Sequence, residues 1–330
     1  MKLLRFFKNK IFQTLKKKIV KILFITLISA VLFLTGTGSV YGLETAEFLH
    51  LTQGAKPSGM GDAYSSVSDC VFNFDFNPAG ISFADSNQIA FSHYEYYADI
   101  KNEYFAVSLK PQKKFALAAS LKMTSIDDVE RDAFGNQTGK FGNNSYQIKA
   151  GAGFLLSKKF GAGLALSYIS NKIYDKKSSA IAFDAGVLFS NIFLTEYNKI
   201  NFGLSFQNFG DKMSFGGKSY ELPKKTRIGF SFMNDETFPK IIRQTTFSAD
   251  FVINSELENT LNLGIETLFF KNFALRMGLI DYMNVNQKSS LTFGAGLQHS
   301  FGDIDYAYRS HETLGGAHTL SFTIKFGGKY

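Results

Sequence analysis

The chain has 330 residues, 36 Lys and Arg against 28 Asp and Glu, a formal net charge of +8, and one cysteine, Cys70. A lone cysteine excludes an intramolecular disulfide framework and a thiolate zinc cage. The positive charge calls for no nucleic acid: Lys2, Arg5, Lys8, Lys10, Lys16, Lys17, Lys18 and Lys21 all precede Gly42, no acid does, and removing those eight from 36 leaves 28 basic residues against 28 acidic ones.

Residues 1–42 read as a targeting segment. The basic stretch is followed by Ile22–Leu34, an uncharged apolar run of 13 residues. That is the size of a signal-peptide core and short of the ~20 residues a spanning helix needs. Small residues follow, and Val40-Tyr41-Gly42 fits a cleavage site. The length of the basic stretch leaves an uncleaved inner-membrane anchor open as the other reading.

Residues 43–87 differ from everything after them and read as a plug. Within them, Phe48–Ser82 has few alternations, several glycines and an Asn77-Pro78-Ala79-Gly80 element. Asn77 is a good helix N-cap, and Pro78 at the first helical position loses no useful donor. Gly80 is expected to let the chain turn out again at once. Met60, Ala63, Tyr64 and Val67 are spaced for one face of a short helix, with Pro57-Ser58-Gly59 before it. The plug residues singled out are therefore Met60, Gly61, Ala63, Asn77, Pro78, Ala79 and Gly80. An ordinary lead-in with one capped turn is the plainer alternative. Cys70 reads as a small buried residue of this segment.

From residue 88 to 330 the period is two. Ile200, Phe202, Leu204 and Phe206 alternate with Asn201, Gly203, Ser205 and Gln207; Leu320, Phe322, Ile324 and Phe326 alternate with Thr319, Ser321, Thr323 and Lys325. One face is strongly apolar and the other small and polar. A soluble sandwich alternates too. Three features favour a transmembrane antiparallel β-barrel. The polar face is rich in Gly, Ser, Thr and isolated charges, as a wet lumen would be. Aromatic residues are abundant, 36 Phe and 15 Tyr, and Tyr94, Tyr96, Tyr168, Tyr174, Tyr220, Tyr282, Tyr306 and Tyr308 fall near strand ends, where girdles form. The third feature is the leader.

About 14 strands are expected, from 88–97 to 318–326, an even number that puts both chain ends on the periplasmic side. Turns at 110–114, 157–159, 269–272 and 299–300 are short; 190–199 and 234–243 are longer exceptions on that side. The long outer loops are expected at 125–145, 209–224, 282–289 and 309–317.

No enzyme constellation is present in the sequence, and no cofactor is called for. His50, His93, His299, His311 and His318 are scattered. The acidic run from Ile126 to Asp132 lacks the spacing and glycine of a calcium loop, so a solvated loop is the expected role. Alternation places Lys149, Lys225, Arg227, Asp250, Glu266 and Arg276 on the lumen face. Pairing among themselves or with the plug is the favoured expectation over ligand contact, because an unpaired buried charge is costly.

Phe48-Leu49, Gly54-Ala55, Met60-Gly61-Asp62-Ala63-Tyr64 and Asn77-Pro78-Ala79-Gly80 resemble the opening of the PorV/PorQ family of outer-membrane proteins, which is related to the FadL-type transporters. Lys56 stands where that family has Arg, and Ile81 where it has Leu. Asp305-Tyr306-Ala307-Tyr308, Leu314-Gly315, His318 and Ser321 to Gly327 resemble its closing strands. The resemblance implies a 14-stranded, FadL-like barrel and one of two roles. One is passage or binding of hydrophobic small molecules. The other is partnership with a protein secretion system of type IX kind or a surface assembly system. A structural outer-membrane protein is a third reading. Uptake predicts a continuous apolar pocket between plug and outer loops, and partnership predicts a lumen filled by side chains with loops that dock protein; the loop residues Phe134, Phe141, Phe209, Phe215 and Tyr220 suit apolar ligands and serve equally as protein-docking anchors. Partners expected are outer-membrane lipid and either a hydrophobic ligand or secretion-system proteins.

Overall fold

A strand that is apolar on one face and polar on the other cannot bury both. Closing such strands into a ring leaves no unpaired edge and sorts the faces into an outside and a lumen. The computed structural model of the protein has that arrangement. It describes residues 46–97, 100–132, 134–173, 176–238, 241–255, 257–270, 272–281, 289–311 and 315–327. The expected leader at 1–42, Tyr174 and Tyr282 lie outside those residues, as do the side chains of the acidic run from 127 to 131, of Phe141 and of His311.

The strands in chain order are β1 (Asn87–Glu95), β2 (Lys101–Gln112), β3 (Phe115–Arg131), β4 (Gln137–Ser157), β5 (Phe160–Ile173), β6 (Lys176–Phe193), β7 (Asn198–Gly210), β8 (Met213–Phe215), β9 (Lys218–Tyr220), β10 (Lys225–Phe238), β11 (Ile242–Asn254), β12 (Thr260–Phe269), β13 (Phe273–Ile280), β14 (Ser290–His299), β15 (Gly302–His311) and β16 (Gly315–Phe326). Fourteen of them form one closed antiparallel barrel, with β16 pairing back onto β1. β8 and β9 make a small separate hairpin in the connection from β7 to β10. Asn87 is opposite Phe326, so the barrel begins and finishes at one end, the terminus end; the other is the loop end.

Each expected strand is present, and several run further than alternation indicated. The expected loop 125–145 is largely a strand pair: Ser125 is opposite Asn144, and pairing continues to Glu130 opposite Gly139. Clear of the apolar layer neither face needs to be apolar, so the alternation stops while the ladder goes on. The two long terminus-end connections shrink for the same reason, since β6 reaches Phe193 before β7 begins at Asn198, and β10 reaches Phe238 before β11 begins at Ile242.

Register gives the outer surface its character. Phe322, Phe91, Phe105, Leu121, Ile148, Tyr168 and Ile181 are successive cross-strand partners from β16 through β1 to β6. The belt continues the other way through Ile304, Leu297 and Phe273. Large apolar side chains all round this face are exposed, Leu164 at 61 % and Ile324 at 59 %. In water that would be a patch far beyond a few hundred Å²; a bilayer is the solvent that suits it. Tyr168 and Tyr306 stand on the outward face, where Tyr306 Oη and His318 Nδ1 are 2.7 Å apart. Tyr94 departs from the girdle expectation. It shares parity with Ala90 and Ser92, points inward and is 1 % exposed.

Inside the barrel runs the segment 46–86. It starts at the loop end, where Ala46, Phe48 and Leu49 pack on Ile169, Ala180 and Ala182. It leaves at the terminus end beside Asn87. The helix expected over Met60–Val67 is not there. The one α-helical turn is Ala55–Gly59, which includes Pro57. Gly61 and Asp62 both have φ of 60°, left-handed geometry that stops a right-handed helix. Met60, Ala63, Tyr64 and Val67 are nonetheless all buried.

Candidate functional site

The interior of the barrel is where the plug meets the wall. Asn77 caps the 3₁₀ turn Pro78–Phe83, its Oδ1 accepting from the Ala79 N–H at 3.1 Å. Its Nδ2 donates to the carbonyls of Ser65 and of Val187 on β6, each at 3.0 Å. One side chain thus closes the turn, ties two parts of the plug and anchors both to the wall. Gly80 has another role than expected. The turn runs on past it to Phe83, and a Cβ there would fall 1.4 Å from Asn73 Oδ1, so Gly80 makes room for Asn73.

The wall receives the plug on a belt of lumen-facing glycines. Gly153, Gly163 and Gly186 are cross-strand partners on β4, β5 and β6; so are Gly203 and Gly229 on β7 and β10, and Gly264 and Gly278 on β12 and β13. A Cβ on Gly163 would lie 2.3 Å from the carbonyl carbon of Pro78, one on Gly203 2.3 Å from Ser65 O, and one on Gly278 2.2 Å from Gly61 N. Plug backbone therefore rests directly on wall backbone, which only a missing side chain permits. Barrel side chains cap the plug's polar groups between these contacts. Ala55 N–H donates to Ser321 Oγ, Gly61 N–H to Thr292 Oγ1, Val71 N–H to Gln88 Oε1, and Ser205 Oγ donates to Phe76 O, at 3.1, 3.1, 2.7 and 2.7 Å.

Three charged groupings lock the same interface. Lys149 Nζ lies 2.7 Å from Asp75 of the plug and 2.8 Å from Asp184 of β6. Arg276 is 2.7 Å from both Glu266 and Asp305, and Lys56 of the plug joins this group, 3.3 Å from Glu266 and paired also with Asp69. Asp250 takes the Tyr64 and Ser65 N–H groups at 3.2 and 2.9 Å, with Arg227 3.6 Å away. Burial opposes the charge on Lys56, but Asp69 and Glu266 outweigh it and raise its pKa. Burial likewise opposes ionisation of Asp75, and Lys149 outweighs it, holding the carboxyl below its usual range. Cys70 is free and buried, and burial with Asp69 beside it pushes the thiol up to about 12, so it is not a reactive thiolate.

All six lumen charges singled out in the sequence are buried, and five are in these groupings. Lys225 is also buried; it lines a small space of about 30 Å³ beside Asp75 and Lys149 and a larger cavity at the loop end. Lys56, Asp69, Asp75, Asp184 and Asp305 complete the set and were not read from the sequence. Nor was the glycine belt, although glycine on the polar parity of strand after strand is its visible signal. Among the described residues no group of three or more His, Cys, Asp or Glu is placed to hold a metal ion.

The larger spaces lie at the two ends. A cavity of about 490 Å³ opens at the terminus end beside Asp69, Asp85, Gln244 and Lys325. A second, of about 340 Å³, lies at the loop end between Leu51 and Asp62 of the plug and β10 to β13 and β15. Beside it the loop end is apolar. Met213 and Leu222, fully buried, and Phe215 fold down from the β8–β9 hairpin onto Phe48, Leu49, Ile169 and Ala182, and Leu51 joins this cluster to another containing Tyr94, Tyr97 and Ala317. Phe134 is 91 % exposed and takes no part.

No protein-family model and no curated protein sequence matches the chain. Solved structures do match in shape. The toluene transporter TbuX of Ralstonia pickettii superposes with a TM-score of 0.54 at 10 % identity, over 83 % of this chain and 98 % of that one. The monoaromatic hydrocarbon channel CymD gives 0.56 at 13 %, over 84 % and 98 %. The Pseudomonas putida toluene transporter TodX gives 0.51 at 12 %, over 89 % and 100 %. The chain shares their FadL-like fold. At these identities the likeness fixes architecture, and the interior contacts above belong to this sequence.

Proposed function

We propose that the protein is a non-enzymatic outer-membrane barrel that binds or passes hydrophobic small molecules, admitted at its loop end between the β8–β9 hairpin and the plug. The observation that carries this reading is the buried apolar seam there, Phe48, Leu49 and Leu51 under Met213, Phe215 and Leu222. It is packed between plug and outer loops, so an apolar ligand enters by parting the hairpin from the plug, toward the cavity of about 340 Å³ that Leu51 also lines. The toluene and monoaromatic-hydrocarbon transporters of the same fold support it. Residues 1–42 serve as the export leader, cleaved near Gly42; 43–87 form the plug and 88–330 the barrel. The loop end then faces outward and the terminus end the periplasm.

A second reading is that of a PorV-like partner of a type IX-like secretion or surface assembly system. It rests on the PorV/PorQ resemblance of the plug motifs and on one structural observation: the middle of the lumen is occupied by plug backbone and paired charges. Purification from native membranes, with small-molecule and protein analysis of the same sample, tests both. Retained hydrophobic compounds lost on Leu222→Asp support the first reading. A stoichiometric protein partner with no such compounds sinks it in favour of the second.

A further inference from the structure

The loop-end cavity of about 340 Å³ has a polar side that hydrocarbon passage does not call for. Its size is within the range of small-molecule sites. Leu51, Val252, Leu257 and Ile280 provide apolar wall, with Tyr96 beside them. Three acids, Asp62, Glu258 and Asp281, face three bases, Lys225, Arg227 and Arg309. An ion entering would meet like charge as well as opposite charge, so the balance favours a neutral guest.

Asp62 supplies the specific feature. It is 7 % exposed, and its Oδ2 accepts from Thr52 Oγ1 at 2.6 Å. Its Oδ1 has no hydrogen-bond partner among the described residues, and neither has Arg309 Nε on the same cavity. A buried acceptor without a donor is costly and rare in a native protein. Rotation about the terminal torsion of an aspartate is soft, so a small turn presents an oxygen to the cavity. Backbone geometry fixes where the group stands, since Asp62 occupies the second of the two left-handed positions that end the plug helix.

We propose that this cavity is a binding site for a neutral, hydroxyl-bearing hydrophobic molecule whose hydroxyl donates to Asp62 and whose body lies on Leu51, Leu257 and Ile280. The inference rests on the hydrophobic-molecule reading and narrows it: compounds with one hydroxyl are held, while the hydrocarbon of the same shape leaves the acceptor unsatisfied. A site built to bond a hydroxyl discriminates strongly against the analogue lacking it. For a buried acceptor that is otherwise unsatisfied the expected preference is about tenfold or more.

Fluorine NMR of the full-length protein in detergent tests this with 4-(trifluoromethyl)phenol and trifluoromethylbenzene as probes, and empty micelles as the partition control. The phenol should bind saturably and at least about tenfold more tightly than the hydrocarbon. Asp62→Gly, which suits the left-handed backbone, should remove the preference while the barrel keeps its heat-modifiable migration. Leu257→Trp, which narrows the cavity from the loop without touching the plug, should weaken the phenol as well. Equal binding of both probes, no saturable binding of the phenol, or an Asp62→Gly protein that keeps the preference would overturn the site. None of those results bears on hydrocarbon uptake, which is read separately as transport.

Discussion

Gly278→Val is the sharpest probe of how the plug is held. A Cβ at Gly278 would lie 2.2 Å from Gly61 N and 2.6 Å from Gly61 Cα, where ordinary contact begins at 3.4 Å. The plug must retreat by more than 1 Å, and it cannot slide along the wall, because Gly264 on β12 already lies against Met60 O. Retreat breaks the bond from Gly61 N–H to Thr292 and that from Thr292 Oγ1 to Gly59 O, 3.1 and 3.3 Å long. Two bonds at about 0.5–1.5 kcal/mol each, with overpacking at about 1–3, give about 2–6 kcal/mol against seating. The added side chain faces the lumen and removes no ladder bond, so the barrel itself should survive. Insertion and heat-modifiable migration should match the parent protein, while proteolysis of the plug and leakage of a small dye from proteoliposomes should rise. Ala119→Val on the lipid face serves as the matched control. Unchanged proteolysis and leakage would refute direct backbone seating. Failure to insert would refute the separation of plug from barrel.

Further outcomes follow from the other contacts. Lys149→Met strands Asp75 and Asp184, buried acids within 2.8 Å of its ammonium; it should cost about 3–5 kcal/mol, read by denaturant unfolding, and adding Asp75→Asn should recover part of it. Asn77→Ala removes three bonds of 3.0 to 3.1 Å and should loosen the plug by about 2–4 kcal/mol without preventing insertion, again read by leakage and proteolysis. Arg in place of Leu204, Phe230 or Phe322 should cost about 2–4 kcal/mol in lipid, whereas Gln244→Arg, beside the terminus-end cavity, should be mild in the same unfolding assay. Deleting residues 320–330 removes most of β16, which bridges β15 and β1, and should abolish heat-modifiable migration altogether.

Most of the barrel was legible in the sequence because alternation in a lipid-facing strand reports one environment per face. Leu204 and Ser205, or Phe322 and Ser321, differ for that reason alone. It failed where alternation stops while pairing goes on: the strand pair continues beyond Ser125 and Asn144, where the sequence no longer alternates and reads as a loop. Within the plug, local signals succeeded where the physics is local, as in the Asn77 cap, and failed where the wall decides. Met60 to Val67 has helical spacing, yet seating against Gly264 and Gly278 requires left-handed backbone at Gly61 and Asp62. The lumen face also carries more constraint than its small polar residues indicate. Ser205 and Ser231 are fully buried beneath the plug, so that face is not freely substitutable. Charge partners such as Asp75 for Lys149 join residues 74 positions apart, a distance no spacing rule spans.

The proposed entry of hydrophobic molecules at the loop end of a plugged barrel is tested most directly by initial uptake of labelled toluene into cells with and without the protein. Three strains at matched outer-membrane expression are compared: none, the parent protein, and Met213→Asp with Leu222→Asp, which places charge in the seam beneath the hairpin. Uptake faster with the parent protein and returned to background by the double variant is the predicted result. Equal rates in all three strains, with the protein inserted, would contradict it.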